Sequence, residues 1–244
     1  MILNFAKTLH MNTILEKTLA TIVTENHQAA SVFEKYNLDF CCKGKRSLHE
    51  ACTEKNVSAE DITKEIEAII SAPNNKHLPF TEMTEEQLVT YILIHHHFYV
   101  KQSMPTIISH LEKVAYKHGE RYNYMITVFQ LFQEIQQEMI MHMHKEEMIL
   151  FPRIKEISSA KMNGQPLPNA DFITGPIQVM EMEHDHAGEI MQQIKQLTTN
   201  YTPPEGACTT FKVVLNELQA FEEDLHQHVH LENNILFPKA MSTF

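Results

Sequence analysis

Apolar residues along this 244-residue chain recur mostly at three- and four-residue intervals, the spacing that gathers them on one side of a helix. The pattern predicts a helix over 13–36, opening with Thr13-Ile14-Leu15-Glu16 and ending at the turn Asn37-Leu38-Asp39. Ser58 with Asp61 makes a capping box for a second helix through Ile70, whose apolar stripe is Ile62, Ile66, Ile69 and Ile70. Ser71 to Pro79 has the Pro and Asn content of a linker. Thr84 with Gln87 repeats the capping box and opens a helix over 85–117, with an expected kink at Pro105 and a stop at Gly119. Three more long helices are predicted at about 121–157, 175–198 and 207–240, separated by the Asn/Gly/Pro-rich segment 163–176 and by Tyr201 to Gly206. Four long helices joined by loops suggest an antiparallel bundle. The expected organisation is all-α: a small helical domain over 1–74 that carries the adjacent Cys41 and Cys42, then a four-helix bundle over 80–244.

Composition narrows the partners. The 20 Lys+Arg against 31 Asp+Glu give a net charge of -11, which disfavours a surface that tracks phosphates, so nucleic acid is not expected as a partner. No apolar run reaches the length of a membrane span, and the first residues lack a secretory signal, so no membrane is expected and the reading is cytoplasmic. Four cysteines, two of them adjacent, do not form a disulfide framework in a chain of this size. The anomaly is histidine: 16 residues, largely in clusters around 95–97, 142–144, 184–186 and 226–230.

An internal repeat organises two of those clusters. HMHKEEMILFPR at 142–153 matches HVHLENNILFPK at 228–239, and the match pairs His142 with Glu146 and His228 with Glu232, each pair four residues apart on one helix face. Glu147 has no acidic counterpart, because Asn233 stands there. Taking 100 degrees per residue, His142 falls within about 60 degrees of Val128, Leu131, Ile135, Met139 and Ile149. By the same rule His228 falls among Val214, Phe221, Leu225, Leu231 and Ile235. His184 aligns with Ile177, Met180, Ala187 and Met191, and His97 with Leu93, Val100, Met104, Ile108 and Leu111. His96 is a quarter-turn off that stripe. His95, His144, His186, His226 and His230 point away from theirs and are expected on solvated faces or as supporting donors.

One inward histidine in a helix is more often a core residue with a single hydrogen bond than a ligand. Four of them, with two glutamates that would otherwise be isolated buried charges, reverse those odds. Imidazole and carboxylate without thiolate suit iron, manganese or zinc, and six ligands are too many for one tetrahedral zinc. Carboxylates bridging between bundle helices are the usual arrangement of di-iron sites. The methionines near these positions read as core and filler.

The sequence resembles the repair-of-iron-centres family, di-iron proteins with a hemerythrin-like bundle that restore iron-sulfur clusters damaged by nitrosative or oxidative stress. The resemblance rests on Asp39-Phe40-Cys41-Cys42-Lys43-Gly44 in the small domain and on H-x-x-x-E-x-x-I-L-F-P (142–152), M-E-x-E-H-D (180–185) and L-E-N-N-I-L-F-P (231–238) in the bundle. It implies metal ligands at His97, His142, Glu146, His184, His228 and Glu232, and two non-haem iron ions with an oxo or hydroxo bridge. The run His95-His96-His97 departs from relatives that show a tyrosine before a single histidine, which leaves His95 and His96 as alternatives to His97. The resemblance further implies a cytoplasmic stress-response protein, often a homodimer, that donates iron to iron-sulfur client proteins. Cys41 and Cys42 are candidates for a transient receiving or reducing site, and Lys43 and Lys45 beside them invite a lowered thiol pKa, with Gly44 allowing an exposed turn. A buried structural turn is the alternative for the pair. A carrier or sensor of O2 or NO, and a di-iron enzyme that reduces them, remain open as other functions of the same bundle.

Overall fold

The computed structural model describes residues 14–71 and 78–244. It is helical throughout, and among the described residues the one β feature is an isolated antiparallel bridge between Thr18 and Ser47. The start of the first expected helix at Thr13 and most of the expected linker lie outside the described residues. Among the described residues no helix is long and apolar enough to cross a membrane. The chain divides into two compact units, one of residues 1–83 with 229–235, the other of 84–228 with 236–244.

In the first unit, the single helix expected over 13–36 is broken: residues 14–16 are helical, and two further helices follow. α1 (Leu19–Glu25) ends where Asn26 turns to extended backbone, and α2 (Ala29–Lys35) follows. α3 (Leu48–Lys55) was not expected, although its signal is in the sequence: Ser47 and Glu50 form a reciprocal capping box. α4 (Ala59–Ile70) starts at Ser58, whose side chain accepts from the Asp61 N–H. Phe33, Phe40, Leu19, Leu48, Ile62 and Ile66 form the core of this unit.

The Asp39–Gly44 loop is ordered by one carboxylate oxygen. Asp39 Oδ1 accepts the N–H groups of Cys41, Cys42 and Lys43 at 3.1, 3.0 and 3.2 Å and the Cys41 thiol at 3.3 Å. Gly44 is required by close approach rather than by φ, because a Cβ there would stand 2.1 Å from the Phe40 carbonyl oxygen. This turn does not expose both thiols: Cys41 is buried and Cys42 half-buried. Nor is the Cys41 thiol acidified. Its hydrogen bond to the Cys42 sulfur, with burial behind it, pushes its pKa well above the ordinary value, so the neighbouring lysines do not set it.

The segment 229–235 belongs to this unit, which changes the reading of His230. Expected on a solvated face or as a supporting donor, it is buried, with Thr24 Oγ1 3.4 Å from Nε2 and the Phe40 ring at 5.7 Å. Burial pulls its pKa down to about 4. Asn234 donates to the Cys41 carbonyl at 3.1 Å. The stripe rule assumed water on the face opposite the bundle core, and here that face meets protein.

The second unit is built from long helices. α5 (Glu85–Tyr91), a π turn at Ile92–His97 and α6 (Phe98–His118) form one continuous rod that passes through Pro105. α7 (Tyr124–Lys145), a π turn at Glu146–Leu150 and α8 (Phe151–Met162) form the next, and α9 (Asp171–Leu197) the third. α10 (Thr209–Leu231) continues through a π turn at Glu232–Leu236 into α11 (Phe237–Met241). A π turn inserts one residue into the α repeat. The insertion moves the inward register, so Leu150 is buried where Ile149 was expected, and Ile92 where Leu93 was expected. In both repeats the Pro of I-L-F-P follows directly. Proline has no N–H and crowds the carbonyl four residues back, and the widened turn before it relieves both problems.

α9 starts earlier than the Pro-rich boundary suggested and contains Pro176. Proline leaves the Phe172 carbonyl without its helical donor, and Arg153 from α8 supplies one: Nη1 donates to Phe172 O at 2.8 Å, with the guanidinium 4.6 Å from the Phe172 ring. Arg153→Ala should therefore destabilise the bundle by about 1–2 kcal/mol, read as a fall in Tm of about 2–6 °C. An unchanged Tm would mean that water satisfies the carbonyl equally well.

Candidate metal centre

The long helices deliver His97, His142, Glu146, His184, His228 and Glu232 to the interior, each no more than 2% exposed. Their ligand atoms fall into two groups, each within 4.8 Å: His97, Glu146, His228 and Glu232 in one, and His142, Glu146, His184 and Glu232 in the other. Both glutamates belong to both groups. Glu146 Oε2 lies 3.3 Å from His97 Nε2 and 3.3 Å from His142 Nε2, between the two histidine pairs. The structure thus brings together all six residues that the stripes select, and His95 and His96 are in neither group.

Neighbouring carboxylates set the histidine tautomers. His97 Nδ1 donates to Glu147 Oε1 at 2.7 Å and His142 Nδ1 to Glu183 Oε2 at 3.0 Å, which turns each Nε2 lone pair toward Glu146. Lysines hold those carboxylates in turn, Lys101 on Glu147 at 2.6 Å and Lys145 on Glu183. The hydrogen bond from His142, with Lys145 adding to it, lowers the Glu183 pKa to about 2. Burial pushes Glu147 upward, but the bonds from Lys101 and His97 outweigh it and its pKa is lowered. The phenylalanines of the repeat pack on imidazoles: Phe151 stacks on His97 at 5.6 Å and Phe237 on His184 at 6.3 Å.

Glu147, Glu183, Phe151 and Phe237 were not singled out from the sequence. Comparing the two repeats set Glu147 aside, and Glu183 stands next to His184 and so off its stripe. The sequence signal was the recurrence of I-L-F-P and the acidic residues of M-E-x-E-H-D.

The chemistry of the donor set fits iron. Imidazole nitrogens and carboxylate oxygens, with no thiolate among them, suit a first-row divalent metal. His142 Nε2 and His184 Nε2 face one another at 3.0 Å. Two cis ligands on bonds of about 2.1 Å stand about 3.0 Å apart, so this pair fits one metal without rearrangement.

Comparison with known proteins agrees with this geometry. Residues 85–240 match the hemerythrin HHE cation binding domain, and residues 15–70 match a domain described as of unknown function (DUF542). The iron-sulfur cluster repair protein YtfE of Enterobacter sp. (strain 638) is 34% identical over 227 residues, 93% of this chain and 97% of the relative. A probable iron-sulfur cluster repair protein of Haemophilus influenzae is 35% identical over 228 residues, again 93% and 97%. YtfE of Escherichia coli O8 (strain IAI1) is 34% identical over 227 residues, with the same shares. With hemerythrin-type, cation-binding residues 85–240 behind a small cysteine-bearing domain, the chain belongs to the family of the iron-sulfur cluster repair proteins.

Proposed function

We propose that the bundle holds two non-haem irons, one between His97 and His228 and one between His142 and His184, with Glu146 and Glu232 shared by both. The protein gives this iron to iron-sulfur proteins whose clusters have been stripped or damaged by nitrosative or oxidative stress. The observation that carries the reading is the sharing of both glutamates between two histidine pairs. When bound, the iron pair supplies an exchangeable, redox-active cargo. The side chains around it suit release as well as retention. Imidazole and carboxylate hold ferrous iron less tenaciously than the thiolates of an empty cluster site, so transfer to a client runs downhill. Glu147 and Glu183, kept ionised by their hydrogen bonds to histidine and lysine, hold the Nδ1 protons of His97 and His142, so each Nε2 lone pair faces the cargo and is ready to take it back.

Cys41 and Cys42 serve in this proposal as a transient receiving or reducing site. Their sulfurs stand 3.8 Å apart on the loop ordered by Asp39. The proposal also includes a homodimer acting in the cytoplasm, and O2 or NO as small ligands of the centre. The resemblance supports these parts.

The test loads the purified chain with iron and mixes it with an apo iron-sulfur protein and, separately, with an iron-sulfur enzyme inactivated by nitric oxide. Up to two irons per chain should leave, and client activity should return in step. If NO is consumed catalytically with an added electron donor while the chain keeps its iron, the protein is a reductase and not a donor.

A further inference from the structure

We propose that His96, held by Asp224, is a positioning residue for the metal position made by His97 and His228; the proposal rests on the two-iron reading above. His96 is 4% exposed and precedes His97 on the π turn Ile92–His97. Its Nδ1–H donates to Asp224 Oδ1 at 2.9 Å. Asp224 lies on α10 one helical turn before His228, so this bond ties the helix that carries one histidine of the pair to the helix that carries the other.

The ring geometry gives the tie a direction of action. The His96 ring lies parallel to that of His228, with centroids 5.4 Å apart and planes 5° from parallel. His97 meets the same ring at 5.0 Å and 65°. Tyr91, the last residue of α5, packs on His96 at 5.8 Å. His228 is therefore restrained on one face by a neighbour that is itself anchored to its own helix. A ligand imidazole that can rotate loses the alignment of its lone pair, and groups that fix such rings change metal affinity by roughly ten- to a hundredfold when removed. His142 and His184 belong to the other ligand group.

The measurement uses the full iron-loaded chain and its His96→Ala, His96→Phe, Asp224→Ala and Asp224→Asn variants. Three quantities are read: iron per chain, the rate of iron loss to a ferrous chelator, and the Mössbauer spectrum, which resolves the two irons. His96→Ala and Asp224→Ala should lose one of the two irons about tenfold faster and shift one of the two doublets. His96→Phe keeps the stack without the tie and should fall between them and wild type. Asp224→Asn keeps an acceptor oxygen and should restore a near-wild-type rate, which a purely structural role of the charge would not do.

Wild-type release and spectrum in both alanine variants would overturn the proposal. So would equal acceleration of both irons, or an Asp224→Asn variant as impaired as Asp224→Ala. Should His96→Ala fail to fold, the two Asp224 variants decide alone. If wild type itself binds no iron pair, it is the two-iron reading that fails.

Discussion

Replacing Glu146 or Glu232 by alanine should leave less than one iron per chain, against two in wild type, and abolish the visible absorption of the ferric pair. Either substitution withdraws oxygens from both ligand groups at once, because each glutamate belongs to both. Loss of a single histidine would touch one group only. The proper controls are His144→Ala on α7 and His186→Ala on α9, exposed residues each two positions from a histidine of the centre, which should keep two irons. His230 is unsuitable as a control because it is buried among residues of the first unit. Metal analysis and absorption on one preparation make the comparison. Iron content near two in either glutamate variant would contradict the shared-carboxylate arrangement, and an equal loss in the controls would contradict the choice of helix face.

The second large effect is expected from the double substitution Cys41→Ser, Cys42→Ser. Iron content should stay at two per chain, since no bundle ligand is changed, while repair of a nitric-oxide-damaged client should slow by about tenfold or more, the scale of losing one favourable ligand contact in transfer. Serine at 41 retains a hydrogen for Asp39 Oδ1, and the three backbone N–H bonds to that oxygen do not involve the thiols, so the loop should keep its form. Thermal unfolding of the same sample checks this. Full repair by the folded double variant would place the whole function in the bundle, and repair lost in proportion to stability would make the cysteines structural.

The long helices and the residues that converge inside them were legible because two periodic signals coincide. Apolar stripes mark the inward faces, and the 142–153 and 228–239 repeat marks matching positions on two of them. What could not be read follows from departures from the α repeat and from contacts remote in sequence. The π turns displace the inward register by one residue, so Ile149 and Leu93 were assigned inward places that Leu150 and Ile92 hold. For two of these turns the proline of I-L-F-P was a readable sign; for the turn at 92–97 no comparable residue exists. The break at Asn26 has no glycine or proline to announce it. The Ser47/Glu50 box, by contrast, is a local signal that the sequence carries in full. Glu183 and Glu147 act across helices, on His142 and His97, and single-helix geometry contains no trace of those distances. The buried His230 shows the same limit from the other side: a helix face can be polar in pattern and still be covered.

The three π turns have a consequence for how such a chain can vary in length. Each is one residue more than a straight helix needs between its ends, and each stands where a histidine or glutamate of the centre is carried. Deleting a surplus residue such as Met148, which is 64% exposed, would withdraw a side chain that stands mostly in solvent. The turn would then close as ordinary α-helix with the segments before and after it still in phase, so Phe151 would stay beside His97, and Ile154, Ile157 and Ala160 in the core. A deletion in the regular part of the same helix would instead rotate everything beyond it by about 100 degrees. Among natural or engineered variants of this chain, the loops 163–170 and 199–208 and the exposed residues inside the π turns are accordingly where length is free to drift, and the regular helical stretches between them are where it is not.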